Sequence, residues 1–176
     1  MIIFDHSIID QCRKGDRRAQ MQLYSTFYKR VYNACYRVLQ DSYEAEDSMQ
    51  ESFLKAFSRL DTYDKSVPFE AWLVRISINT SIDKFRKKEL DLIELNENIN
   101  YNIAESDDNE EWEHITGKVE QVKAAINKLP DAGRLIVNLY LIEGYDHEEI
   151  ADILNIPSGT VRIQYMRAKQ KLITLI

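Results

Sequence analysis

Residues 146–172, DHEEIADILNIPSGTVRIQYMRAKQKL, decide the fold. Two short helical patterns flank a turn at Asn155, Ile156 and Pro157. Asp146 and Glu149 have the spacing of a capping box, in which each side chain takes a backbone amide near the other. Ile150, Ala151 and Leu154 then share one helical face. Asn155 tolerates the left-handed backbone that ends a helix, and Pro157 cannot continue one. Ser158 is placed to cap a second helix, with Gly159 and Thr160 in its first turn. Val161, Tyr165, Ala168 and Leu172 step by four, three and four, which makes them its buried stripe.

The other face of that second helix carries Arg162, Ile163, Met166 and Arg167. From Ser158 onward there are four basic residues (Arg162, Arg167, Lys169 and Lys171) and no acid. A basic helix set at an angle by a short first helix reads as a helix-turn-helix, with the second helix shaped for the DNA major groove. The plainer alternative is a helical hairpin with a solvated basic face. The coincidence of cap, turn, stripe and charge favours the first.

The 176-residue chain has room for one domain or two small ones, and only five glycines and three prolines, which favours helix over β-sandwich. No apolar run is long enough to span a membrane. The N-terminal MIIFDHSIID meets an acid by residue 5 and lacks the basic start of a secretory signal. Cys12 and Cys35 fall on apolar helical faces far apart, as buried free thiols in a reducing cytoplasm would.

The net charge of −6 is unevenly spread. Residues 1–88 hold 15 basic and 12 acidic side chains, net +3; residues 89–115 hold 10 acids and no base; residues 116–176 hold 8 basic and 7 acidic, net +1. The acidity sits in one middle segment, so the overall charge does not argue against a nucleic-acid partner for the ends.

From the start, Asp5 to Lys14 reads as a short helix ended by Gly15, and Asp16 caps the next. Ala19, Leu23, Phe27, Val31, Ala34, Cys35 and Val38 mark a long amphipathic helix from Arg17 to Gln40. Asp41 and Glu44 form another capping pair. The helix they open turns Ala45, Met49, Phe53, Ala56, Phe57 and Leu60 inward. Asp61 to Pro68 breaks the period and is a loop. A fourth helix runs from about Phe69 to Lys88, with Phe69, Trp72, Leu73, Ile76, Ile82 and Phe85 inward. Its closing Arg86-Lys87-Lys88 is explained at the least by the helix dipole. Glu89 to about Glu113 loses the pattern and reads as a flexible acidic linker, with a helical turn at most at Leu90 to Leu95. Trp112 opens the second domain. There Val119, Val122, Ala125, Ile126 and Leu129 make a helix stopped by Pro130. Another runs from Asp131 to Gly144, with Leu135, Ile136, Leu139 and Tyr140 inward. The expected fold is all-α: helical domains at 1–88 and 112–176, joined by residues 89–111.

Enzyme signatures are missing. No Gly-rich phosphate loop, Gly-x-Ser-x-Gly or His-Glu-x-x-His is present, and His6, His114 and His147 have no metal-ligand spacing with the cysteines. His147, in the first turn of a helix, reads as a surface residue. No cofactor or metal is expected.

Residues 44–57, EAEDSMQESFLKAF, resemble the core-binding segment of region two of bacterial sigma factors. Residues 69–88 resemble the promoter-melting and minus-ten helix of that region, and LPDAGRLIVNLYLIEGYDHEEIADILNIPSGTVRIQYMRAKQKL resembles region four. Their order and spacing resemble the extracytoplasmic-function (ECF) group of the sigma-70 superfamily. The resemblance implies a non-enzymatic subunit that binds core RNA polymerase and directs promoter-specific initiation. It implies contact with the clamp helices of the largest catalytic subunit and with the flap, with promoter DNA, and with an anti-sigma factor.

By position, the resemblance places Glu44, Asp47, Gln50 and Glu51 on the polymerase. It places Tyr63, Lys65, Ser66, Arg75, Asn79, Lys84, Arg86 and Lys87 on the minus-ten element. Opening a promoter needs flipped bases caught in a pocket and a basic track for the backbone. The loop from Tyr63 to Pro68 is placed for the pocket, and Asn79 offers amide donors and acceptors. Tyr63 either stacks on a base or covers the core; Trp72 is assigned to packing. Ser158, Thr160, Arg162, Ile163, Met166, Arg167 and Lys169 would meet the minus-thirty-five element. Arg162 or Arg167 would read guanine, worth about 1–3 kcal/mol of discrimination. Ile163 and Gln164 depart from the small hydroxyl and basic residue common in the family. The acidic linker would either mimic nucleic acid in the polymerase channel or stay solvated. Two other classes remain open on the residues: a helix-turn-helix regulator with a sensing or dimerising front half, and a polymerase-binding interaction module.

Overall fold

The structure is a computed structural model that describes residues 7–89 and 115–176. It divides into two compact units, Met1–Lys88 and Glu89–Ile176. All regular structure among the described residues is helical. Of the expected linker at 89–111, Glu89 ends a helix and 90–111 lie outside the described residues, as do Trp112, His6, His114 and the side chains of Lys87 and Lys88.

In the first unit, α1 (Ser7–Arg13) turns at Gly15 (φ +81) into α2 (Arg17–Leu39). The Asp16 side chain accepts from the Arg18 and Ala19 amides at 2.8 and 3.2 Å, satisfying two of the donors a helix start leaves open. Gln40 ends α2 in left-handed backbone (φ 54), one residue earlier than the periodicity suggests. Its amide donates to the Tyr36 carbonyl at 2.8 Å, and its side chain donates to the Tyr36 and Arg37 carbonyls. Asp41 then caps α3 (Ser42–Ser58) through the Glu44 amide, 2.9 Å away. A 3₁₀ turn at Leu60–Thr62 and an extended loop lead to α4 (Phe69–Glu89).

The core of this unit joins Ile9 and Cys12 of α1, Leu23, Phe27 and Val31 of α2, Met49 and Phe53 of α3, and Phe69 and Leu73 of α4. Each large side chain so buried is worth about 1.5–3 kcal/mol. Where α2, α3 and α4 come together the buried residues turn small and polar: Cys35, Ser48, Ser52, Ser77, Thr80 and Ser81. The hydrophobic pattern does not show this seam, because serine keeps the helical period while reading as surface.

In the second unit, α5 (Ile115–Asn127) stops before Pro130 and α6 (Asp131–Val137) starts just after it. The expected single helix to Gly144 changes character on the way. Asn138–Ile142 is π-helix, with the Glu143 amide on the Asn138 carbonyl at 3.1 Å. Gly144 (φ +80) ends it, and α7 (His147–Leu154) and α8 (Ser158–Ile173) come next. Both halves of the Asp146–Glu149 capping box form, at 2.8 and 2.9 Å, and Asn155 is left-handed at φ 54. Pro157, rather than Ser158, occupies the cap of α8. Its fixed φ already suits a helix entry, and its carbonyl takes the Thr160 and Val161 amides at 3.0 and 3.2 Å. Ser158 is therefore the first helical residue. Gly133 of α6 lets α8 approach closely: a Cβ there would lie 3.1 Å from the Cβ of Ala168.

Candidate polymerase and DNA interfaces

On α3, Tyr43, Asp47, Gln50 and Leu54 recur at i, i+4, i+7 and i+11 and are all exposed. Asp47 and Gln50 are two of the expected polymerase contacts. Tyr43, 85% exposed, and Leu54, 71% exposed, extend the same stripe, and no role was expected of them from the sequence. Their signal was the same spacing, seen once the inward face is subtracted. Glu44 and Glu51 flank the stripe on the side nearer α4, both half-buried. Glu51 is held below the ordinary carboxylate range by its hydrogen bond with Lys55, against the opposing effect of burial. Lys55 Nζ is 2.8 Å from Glu51 Oε1.

On α4, Arg75, Asn79 and Arg86 fall within about 40° of one another around the helix. Arg75 and Asn79 are exposed and Arg86 is half-buried. Lys84 does not join them. It projects from about the opposite side of α4 to Arg75, toward α3, where it pairs with Asp47 and lies 3.5 Å from Glu51. Burial draws the Lys84 ammonium down, but the hydrogen bond it donates to Asp47 and the two negative charges raise it further.

The loop before α4 exposes Lys65 and Ser66, with Lys65 in left-handed backbone at φ 67. Asp64 accepts the Ser66 amide at 2.9 Å and so fixes the bend. Tyr63 is not available to stack on a base. It is 3% exposed, its ring packs against Phe69 and Trp72 at 5.3 Å from each, and its hydroxyl donates to the Val67 carbonyl at 2.9 Å. Its alternative role, covering the core, is the one adopted. Trp72 is half-buried in the same cluster.

On α8 the buried residues are Val161, Ala168 and Leu172. Away from them, Arg162, Ile163, Met166, Arg167 and Lys169 are all exposed; Ser158 and Thr160 are half-buried at the start. Arg162 pairs with Glu148 of α7 and keeps 59% of its side chain in solvent. A three-ring cluster braces the helix-turn-helix: Tyr140 lies 4.7 Å from His147 and 4.5 Å from Tyr165. His147 is thus half-buried in packing, and not the surface residue its place in the first turn suggested. Burial also pushes the Tyr165 hydroxyl up. The front of α8, whose cap Pro157 offers no side-chain acceptor, has the polarity that phosphate favours.

Residues 23–90 match the family model for Sigma-70 region 2, and residues 119–172 match that for Sigma-70, region 4. The chain is 33% identical to the ECF RNA polymerase sigma factor SigW of Bacillus subtilis, over 93% of this chain and 92% of that one. The chain belongs to the ECF RNA polymerase sigma factors. It is also 34% identical to the ECF sigma factor SigE of Mycolicibacterium smegmatis, over 81% of this sigma factor and 56% of that longer one. Among solved structures it is similar to CnrH, solved in complex with the cytosolic domain of CnrY. The TM-score is 0.55 at 24% identity, covering 97% of this chain and 96% of that one. The sigma factor RpoE of Bartonella quintana, solved with the anti-sigma factor NepR, gives a TM-score of 0.54 at 21% identity, covering 88% and 94%. These two likenesses concern the fold.

As a sigma factor the protein is a non-enzymatic subunit that binds core RNA polymerase and promoter DNA and directs transcription initiation. The region 2 match contains both the α3 stripe and the α4 face, and the region 4 match contains α7 and all of α8 but its last residue. Among the described residues no helix is long and apolar enough to cross a membrane.

Proposed function

We propose that this sigma factor docks on the clamp helices of the polymerase through Tyr43, Asp47, Gln50, Glu51 and Leu54. In this reading Arg75, Asn79, Arg86, Lys65 and Ser66 open and read the minus-ten element. Arg162, Ile163, Met166 and Arg167 lie in the major groove at the minus-thirty-five element, with Ser158, Thr160 and Lys169 on phosphates. The observation that carries this is the division of α8. One face is sealed by Val161, Ala168 and Leu172, while the other presents two arginines and two apolar side chains to solvent. Ile163 and Met166, 53% and 58% exposed, suit thymine methyl groups between two guanine-reading arginines. The protein works in the cytoplasm. An anti-sigma factor restrains it there, as the partners solved with CnrH and RpoE suggest by analogy.

The test is run-off transcription with core polymerase on a promoter library. A shared two-part sequence upstream of the transcripts is the expected result. Transcripts without such a motif, or none at all, would sink the proposal. Tight duplex binding without polymerase would instead favour a conventional helix-turn-helix regulator. Reversing one charge on the stripe, Asp47→Lys, is expected to weaken core binding by about tenfold or more, since like charges then face each other.

A further inference from the structure

The acids of the docking stripe are paired within the protein itself. Lys84 reaches across from α4 to Asp47 and Glu51. Lys55 holds the other oxygen of Glu51 and donates to Thr80 Oγ1 of α4 at 3.2 Å. Two carboxylates and two ammonium groups thus form a neutral chain along the α3–α4 boundary. It is open to solvent on the docking side: 72% of the Asp47 side chain and 42% of Glu51 are exposed, against 21% of Lys84. The Lys84 side chain is mostly covered, yet its ammonium reaches the more exposed acids. A basic helix approaching α3 therefore meets carboxylates already neutralised, with a like charge within a few ångströms of its own.

We propose that Lys84 is an internal counter-ion occupying the place that the polymerase's cations take, so that docking on α3 is an exchange of ion pairs and Lys84 weakens the free protein's hold on core polymerase. The inference rests on the docking role proposed above for α3. It moves Lys84 out of the minus-ten contacts, where chain position alone had put it, and makes it a setting for core affinity. The exchange also severs a charged tie between the docking helix and the promoter-reading helix, at the moment when α4 must adapt to DNA.

Lys84→Met keeps most of the stem and removes the charge. It is expected to tighten binding to core polymerase about twofold to fivefold, the range that a solvent-touched ion pair supplies. Lys84→Arg, which restores the pair, returns affinity to the parent value. Thermal melting checks that both variants fold. Unchanged or weaker binding by a folded Lys84→Met chain overturns the exchange. A second measurement needs no substitution. The Lys84 amine, mapped by mass spectrometry after treatment with an acylating reagent, should react faster once core polymerase is bound. Slower or equal reaction also overturns it. Asp47→Lys separates the two readings. If that change leaves core affinity untouched, the docking role of α3 itself is wrong. If it weakens binding while Lys84→Met does not tighten it, docking stands and the counter-ion role falls.

Discussion

Arg13 shows how much one side chain can organise. From the end of α1 its guanidinium donates to the Leu60 carbonyl through Nε and Nη2, at 3.1 and 3.0 Å, and to the Tyr63 carbonyl at 2.8 Å. These carbonyls belong to the turn after α3, where the Leu60 carbonyl also takes the Tyr63 amide at 3.2 Å. Arg13→Met keeps the apolar stem and loses these bonds. It should cost about 1–3 kcal/mol in urea unfolding, the range for charged hydrogen bonds, while Lys14→Met at the exposed neighbour should cost little. Equal effects at the two positions would show that the bonds to the turn carry nothing. Nothing in the local sequence announces Arg13, whose partners lie 47 and 50 residues away. The same is true of Lys84, 37 residues from Asp47. Asp146, Glu149 and Asn155 were legible because their partners are their own neighbours. Tyr63 was undecidable because both of its options suit an aromatic ring in a loop, and only the packing of Phe69 and Trp72 chooses.

At the scale of the element, helix positions and inward faces followed from periodicity, and most ends followed from caps. The misses share a cause. The cap of α8 moved from Ser158 to Pro157 because a proline carbonyl and fixed φ did the work expected of a hydroxyl. The polar seam of Cys35, Ser48, Ser52, Ser77 and Ser81 was invisible because close helix packing selects for size, and the pattern records polarity. Size also governs the α6–α8 crossing. Gly133→Val would press on the Ala168 backbone as well as its methyl, and should lower stability by about 1–3 kcal/mol. Gly159→Ala, in the first turn of the same α8 with nothing within 4 Å of the added carbon, should be neutral or raise stability by up to about 1 kcal/mol. Thermal melts of the two variants decide it. A Gly133→Val chain as stable as the parent would mean that the crossing has room to spare.

For the whole molecule, the sequence places opposite charge balances in series: net +3 over 1–88, net −10 over 89–115 and net +1 over 116–176. Bulk acidity therefore coexists with two faces that present arginine. Changing Asp107, Asp108, Glu110 and Glu111 to their amides takes the formal charge from −6 to −2, four acids fewer. Non-specific duplex binding by the free protein should then strengthen at low ionic strength and match the parent near 1 M salt, where the screening length is about 3 Å. Fluorescence anisotropy across a salt series reads this directly. A gain that persists at high salt would point to something other than long-range charge.

The π-helical stretch at Asn138–Ile142 bears on how the recognition helix comes to be aimed. A wide turn accommodates one residue more than the regular ladder would, and leaves Leu141 and Ile142 facing outward at 52% and 40% exposure. Every residue beyond it is rotated by that surplus. Removing one codon there would restore the ordinary count and turn the residues that follow it in the same helix by about 100°. The connection through Gly144 would then leave that helix on a different heading toward α7 and α8. The aim of α7 and α8 is thus inherited from a miscount upstream of them.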